Sequence, residues 1–255
     1  MDGITQTGTP QHIRLDERNH VEKPLLNQLA GLSWEIIDLD SKQHPGDSFR
    51  KTFTEVVMLP VLSEQLKVIN PWLEDDQVEE VVKQITANFP GTGLIENNRH
   101  ILNLLLENTS ISENRKTGEK SPTVRFIDFK HRDNNRFIAV CQFKVRIRGT
   151  EHHIIPDIVL FLNGLPVVVI ECKSPKVREP IVEAIDQMLR YSEQRGAKGE
   201  GSGPLFYYNQ FVVATLPPRD LVRHHYHPQR AAIFPLGRSL SLYRGGSGPR
   251  RQRSQ

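Results

Sequence analysis

The apolar residues of this chain fall into two patterns, short runs rich in Val, Ile, Leu and Phe and longer stripes at helical spacing. The most apolar stretch, residues 156–173, holds one run from Ile158 to Leu162 and another from Val167 to Ile170, around Asn163-Gly164-Leu165-Pro166. Asn-Gly between two such runs predicts a β-hairpin. Because Val167 to Ile170 is apolar without alternation, the second strand is expected to be buried on both faces. Residues 180–195 carry Ile181, Ile185, Met188 and Leu189 at helical spacing, with Pro180 suited to a first turn, and predict an amphipathic helix. Upstream, residues 20–32 read as a helix with Pro24 near its start, Trp34 to Leu39 as a short strand and His44 to Ser48 as a Pro/Gly loop. Thr54 to Asn70, Glu74 to Asn88 and Glu96 to Asn108 form a helical block, with Pro60 and Pro71 as interruptions or boundaries and Pro90-Gly91-Thr92-Gly93 as a turn. Strands resume at Val124 to Phe129 and Phe137 to Ile147, and Phe211 to Ala214 reads as another. This order suits an α/β (α+β) class, a mixed β-sheet flanked by helices with the helical block at about residues 54–108 inserted.

Three ionisable groups gather at the open end of the hairpin, where Asp157 opens the first strand and Glu171 and Lys173 close the second. Two residues apart on a strand, Glu171 and Lys173 point to one face and Cys172 to the other. A charged pair ending a buried strand costs free energy unless a metal or a partner offsets it. Carboxylates beside a lysine are what a metal-dependent phosphodiesterase needs, whereas an exposed ion pair is the plainer reading. Register decides between them. A two-residue Asn163-Gly164 loop with no bulge pairs Asp157 with Ile170 and sends Asp157 and Glu171 to opposite faces. An odd loop, such as Asn163-Gly164-Leu165 with Gly164 left-handed, or an equivalent bulge, sets Asp157 opposite Glu171 on the face that carries Lys173. Pro166, which has no N–H to give to a ladder, favours the odd register. On the following helix Gln187 and Tyr191 lie four apart along one flank of the apolar stripe, beside Ala184, where packing on the hairpin aims them at the carboxylates. An amide and a phenol at a core boundary is the alternative.

These residues resemble the PD-(D/E)xK nucleases and, among them, the N-terminal nuclease region of the restriction (R) subunit of type I restriction-modification enzymes. The likeness covers about residues 20–215 and rests on Val21-Glu22-Lys23-Pro24-Leu25-Leu26 with Trp34-Glu35, Leu94-Ile95-Glu96-Asn97-Asn98-Arg99, Ile127-Asp128-Phe129, and Asn135-Arg136-Phe137 with Gln142-Phe143. It continues through Asn163-Gly164-Leu165-Pro166, Glu171-Cys172-Lys173-Ser174-Pro175, Gln187-x-x-x-Tyr191, and Pro204-Leu205-Phe206 with Tyr208-Asn209-Gln210. The Gln-x-x-x-Tyr element is shared with RecB-type nucleases, the alternative family; the Asn-Gly-Leu-Pro turn and the Asn-Asn-Arg segment favour the type I assignment. The resemblance implies a restriction-endonuclease-like fold and a Mg²⁺ cofactor held by Asp157, Glu171 and the backbone carbonyl of Cys172. It implies that Lys173 holds the attacking water and that Gln187 and Tyr191 position the DNA backbone or the lysine. Glu22 is implied as an accessory metal or water ligand, with a helix-start carboxylate favoured by the dipole as its other reading. Double-stranded DNA is the implied substrate, and modification and specificity subunits the implied partners. ATP enters only through motor domains absent from this chain, since Gly118-Glu119-Lys120-Ser121 lacks the first glycine of a P-loop.

Composition sets limits on this picture. No apolar run approaches 18 residues and Met1 to His20 is polar, so neither a membrane span nor a signal peptide is expected and the location reads as cytoplasmic. Cys141 and Cys172, both in strand-like runs, fit buried thiols in a reducing compartment and are too few for a zinc cluster. The formal net charge of +3 conceals an uneven distribution. Residues 216–255 hold eight arginines and one acid, Asp220, whereas residues 1–215 hold 25 basic and 29 acidic side chains. That body lacks the broad basic footprint of an autonomous DNA binder, so DNA is expected to be delivered largely by other domains or subunits. The chain thus divides into a polar N-terminal arm (1–19), a nuclease domain (20–215) and an Arg-rich tail (216–255) expected to add no sheet pairing. A reading-frame change or truncation near residue 216 is the first explanation of that tail, and a DNA-binding basic arm is its rival. His224, His225 and His227 have no acidic or cysteine partners to complete a metal site. A non-catalytic remnant that only binds a partner is the remaining function class, and the intact Asp157, Glu171 and Lys173 favour the nuclease.

Overall fold

The computed structural model describes residues 12–13, 17–87, 89, 93–174, 176–196 and 199–216, and the backbone of 230–235. One π-helical turn, Arg18–Glu22, runs into α1 (Lys23–Gly31), followed by β1 (Glu35–Asp38). The helical block comprises α2 (Leu59–Ile69), α3 (Asp75–Ala87) and α4 (Leu94–Glu107). Pro60 sits in the first turn of α2, where its fixed φ and missing N–H cost nothing. The helix expected from Thr54 therefore begins only at Leu59, and Pro60 marks a start rather than an interruption.

Six strands form one mixed sheet in the order β1-β4-β7-β8-β9-β10, with β4 at Phe137–Cys141, β7 at Ile158–Leu162, β8 at Leu165–Cys172, β9 at Phe211–Leu216 and β10 at Arg230–Pro235. The pairs β1/β4 and β8/β9 are parallel, and β4/β7, β7/β8 and β9/β10 are antiparallel. A small ribbon, β2 (Thr109–Ser110) with β3 (Thr123–Val124), and another, β5 (Val145–Arg146) with β6 (His153–Ile154), stand apart. Helix α5 (Pro180–Tyr191) follows β8, and the short α6 (Gly203–Tyr207) precedes β9.

Two cores sandwich the sheet. On one face the π-helical turn and α1 set Val21, Leu26 and Leu29 against Ala139, Cys141, Ile158, Leu160, Val168 and Ile170. On the other, larger face Val140, Val159, Phe161, Val169 and Val212 meet the helical block and Ala184, Met188 and Leu189 of α5. Burial on both faces explains why β8 shows no polar alternation.

The hairpin turn and the register have separate causes. Asn163 (φ 53°) and Gly164 (φ 84°) close a two-residue loop, pairing Leu162 with Leu165, so the three-residue alternative is not used. A side chain at residue 164 would place Cβ 2.7 Å from the carbonyl oxygen of Met58, which makes glycine obligatory there on space as well as on φ. A bulge then restores the odd register: Phe161 pairs with Pro166 but Leu160 with Val168, leaving Val167 extra, and Ile158 faces Ile170.

Three expectations are corrected. The strand expected over Phe137 to Ile147 breaks at Gln142, which adopts φ 57°. The strand expected over Val124 to Phe129 pairs only through Val124, because the Asn70 side chain takes both the N–H and the carbonyl of Arg125. Sheet pairing does not end near residue 216, since β10 covers the ladder edge of β9, an edge whose N–H and carbonyl groups need partners. The remainder of the expected tail, including His224, His225 and His227, lies outside the described residues.

Candidate active site

The bulge brings the hairpin carboxylates together. With Ile158 opposite Ile170, the next pair outward is Asp157 and Glu171, on the face shared with Val159 and Val169 and covered by α5. The backbone N–H of Cys172 donates to Asp157 Oδ2 at 2.7 Å, fixing one carboxylate against the strand that carries the other. The Cys172 side chain points into the α1 core, as expected for the residue between Glu171 and Lys173.

Helix α5 supplies the next layer. Lys173 Nζ donates to Glu171 Oε1 at 3.3 Å and to Gln187 Oε1 at 2.8 Å. The Gln187 amide nitrogen donates in turn to Glu171 Oε1 and, at 2.8 Å, to the Tyr191 hydroxyl. Four residues apart on one flank of the helix, the amide contacts both the lysine and the glutamate, and the phenol contacts the amide. Tyr191 is fully buried rather than at the rim, and burial, followed by the Glu171 and Asp157 charges, raises its pKa and keeps it a neutral phenol.

The N-terminal turn adds Glu22, and with it Arg18 and the preceding Glu17. Glu22 accepts from Arg18 at 2.8 Å, from the Cys141 thiol at 3.2 Å and from Gln142 at 3.3 Å. Gln142 also reaches Asp157 Oδ1 at 3.4 Å, a long contact, while its N–H donates to the Asp157 carbonyl at 2.7 Å. The left-handed break at Gln142 is what turns this amide between the two carboxylates. Glu17, buried, accepts the Ser174 N–H at 2.9 Å. Five residues apart across a π turn, Glu17 and Glu22 lie about one turn from each other, and π turns concentrate at functional sites. Glu17 and Arg18, which lie in the stretch expected to be an N-terminal arm, thus contact the site.

Four buried carboxyl groups, Glu17, Glu22, Asp157 and Glu171, thus converge with Arg18 and Lys173 as the cations. Burial first, then the Asp157 charge, pushes the Glu171 carboxyl well above the usual carboxylate range, against the pull of Lys173. Glu22 and Glu17 are likewise raised, each mainly by burial. Burial works against the Lys173 ammonium too, but Glu171, Asp157 and Glu17 outweigh it and raise the lysine pKa, so it stays charged. Glu171 Oε2 is buried with no hydrogen-bond partner. An orphaned carboxylate oxygen in an acid-rich end of the sheet is the donor set a hard divalent cation takes. Among the described residues no three His, Cys, Asp or Glu side chains are arranged to hold a metal by themselves.

Of the residues expected at the site, Asp157, Glu171, Lys173, Gln187 and Tyr191 are brought into one network, and Glu22 joins it through Gln142. Glu17 and the Cys172 N–H were not anticipated, and Gln142 had been noted without a role. No local signal marks Glu17, whose partner lies 157 positions away.

The family described as Type I restriction enzyme R protein N terminus matches residues 14–215. The chain is 34% identical over 198 residues to the type I restriction enzyme HindI endonuclease subunit of Haemophilus influenzae, covering 76% of this chain and 18% of that protein. It is 30% identical over 198 residues to a provisionally named type I restriction enzyme MjaVIIIP endonuclease subunit of Methanocaldococcus jannaschii, covering 76% of this chain and 17% of that protein. The chain spans less than a fifth of the length of these relatives. Among the described residues no helix is long and apolar enough to cross a membrane.

Proposed function

The chain belongs to the type I restriction enzyme R protein N-terminal family, and on that premise we propose that it is a Mg²⁺-dependent endonuclease module that hydrolyses phosphodiester bonds of double-stranded DNA. The observation that carries the reading is the bulged register, which sets Asp157 beside Glu171 with Glu171 Oε2 left unpartnered. Asp157, Glu171 and the carbonyl of Cys172 are the ligands proposed for Mg²⁺. Mg²⁺ held there would supply Lewis-acid chemistry that activates water and offsets charge on the scissile phosphate. Lys173, held by Gln187, orients the attacking water and stabilises negative charge that develops on the phosphate. Glu22, bridged to Asp157 by Gln142, orders water on the α1 side. Modification and specificity subunits are the partners proposed to deliver DNA.

The test is incubation of the purified chain with supercoiled plasmid. Nicking with Mg²⁺ that disappears in EDTA and in Lys173→Ala supports the reading, and equal cleavage in EDTA overturns it.

A further inference from the structure

The two chain segments that supply Gln142 and Asp157 continue outward as the β5–β6 ribbon. Apolar and basic residues alternate from Phe143 to Arg148, through its first strand and into the turn. Phe143, Val145 and Ile147 are buried in the larger core, while Lys144 and Arg146 are half-buried and Arg148 is exposed. Arg146 lies on the strand face opposite the buried Val145, Lys144 is half-buried just before the strand, and Arg148 is exposed in the turn that closes the ribbon. Arg146 is locally used, by Glu151 and by the carbonyl of Thr150 at 2.8 Å. Among the described residues Lys144 and Arg148 have no carboxylate partner; the Lys144 ammonium lies 4.9 Å from the centre of the Phe53 ring.

The ribbon is rigidly presented. Arg146 N–H donates to the Phe53 carbonyl at 2.9 Å, tying the ribbon to the loop before α2. Beneath it the Arg50 guanidinium stacks 3.8 Å from the centre of the Phe143 ring, buried, with one terminal nitrogen lacking any partner. Burial lowers its pKa to about 9. The other two guanidinium nitrogens donate to the Ser48 hydroxyl at 2.8 Å and the Glu55 carbonyl at 3.0 Å, so the buried charge has neutral partners only, and it adds positive potential where residues 1–215 as a whole are net negative.

Resting on the nuclease reading, we propose that the outer face of the β5–β6 ribbon is a track for the sugar-phosphate backbone, on which Lys144 and Arg148 bind phosphates and guide the strand toward Asp157 and Glu171. The cations touch only the backbone, so the contact is independent of base sequence.

The experiment compares the full chain with the Lys144→Ala/Arg148→Ala double variant, using a short fluorescein-labelled DNA duplex of random sequence without divalent ion. Each lost phosphate contact lowers the slope of log affinity against log salt by about 0.9. Between about 50 and about 200 mM salt the wild type should therefore lose about tenfold more affinity than the double variant. The charge-conserving Lys144→Arg/Arg148→Lys variant should restore the wild-type slope, which a merely structural role would not require. A double variant with the wild-type slope and affinity overturns the track. Plasmid nicking by the wild type is scored separately: intact cleavage beside an unchanged slope sinks the ribbon alone, and absent cleavage beside a reduced slope sinks the nuclease reading alone.

Discussion

The Cys172 backbone N–H lies 2.7 Å from Asp157 Oδ2, so the residue between the glutamate and the lysine holds the aspartate through its main chain. That bond makes the site's geometry partly a property of sheet register, and it separates two substitutions that chemistry alone would treat alike. Asp157→Asn keeps an acceptor for the amide and removes the charge. Asp157→Ala leaves a buried N–H unpaired, at about 1–3 kcal/mol. Both are expected to lower Mg²⁺-dependent cleavage by about a hundredfold or more, while only the alanine variant loses stability in urea. Equal urea midpoints for the two would show that the bond contributes nothing.

The raised Glu171 pKa makes a statement about stability. A carboxyl whose folded pKa exceeds its usual value of 4.5 takes up a proton on folding between the two values. Its contribution is therefore most favourable below pH 4.5 and declines as pH rises toward the folded value. In metal-free buffer Glu171→Gln should melt progressively higher than wild type across that window, and Mg²⁺ should raise the wild-type melting temperature but not that of the variant. A difference independent of pH contradicts this account of the buried carboxyl.

Gln187 contacts Lys173, Glu171 and Tyr191 at once. Hydrogen bonds to charged groups contribute about 1.5–3 kcal/mol, so Gln187→Ala should slow single-turnover cleavage by about 10- to 150-fold. Tyr191→Phe keeps the ring in the core and loses only the hydroxyl, and its effect should stay under about tenfold. A larger effect from Tyr191→Phe would mean that the phenol, not the amide, orders the lysine.

Pairing between β9 and β10 changes the expectation for the tail. Truncation after Leu216 exposes the β9 edge and should lower the melting temperature by more than the roughly 2–4 °C that 1 kcal/mol shifts a domain of this size. Truncation after Pro235 keeps β10 and should leave it nearly unchanged. Identical melting of both truncations and the full chain would show that β10 adds no stability.

The sequence by itself determined the elements whose pattern is local. Two apolar runs around Asn163-Gly164, the stripe of α5 and the placement of Asp157, Glu171, Lys173, Gln187 and Tyr191 follow from periods of 2 and 3.6 and from turn chemistry, which depend on near neighbours in the chain. The family resemblance over about residues 20–215 was legible for the same reason, being carried by short motifs in order. What only the tertiary structure decided depends on residues far apart. The bulge at Val167 selects one of two registers that the same apolar run allows. The break at Gln142 serves a side chain that must reach both Glu22 and Asp157, and the end of β3 follows from Asn70 taking the Arg125 amide and carbonyl 55 positions away. Glu17 enters the site only because α1 packs across the sheet and carries the preceding turn to Ser174. Local propensity fixes which face a side chain occupies once a register is given; the register itself, and the partners that cross the sheet, are settled by burying both faces at once.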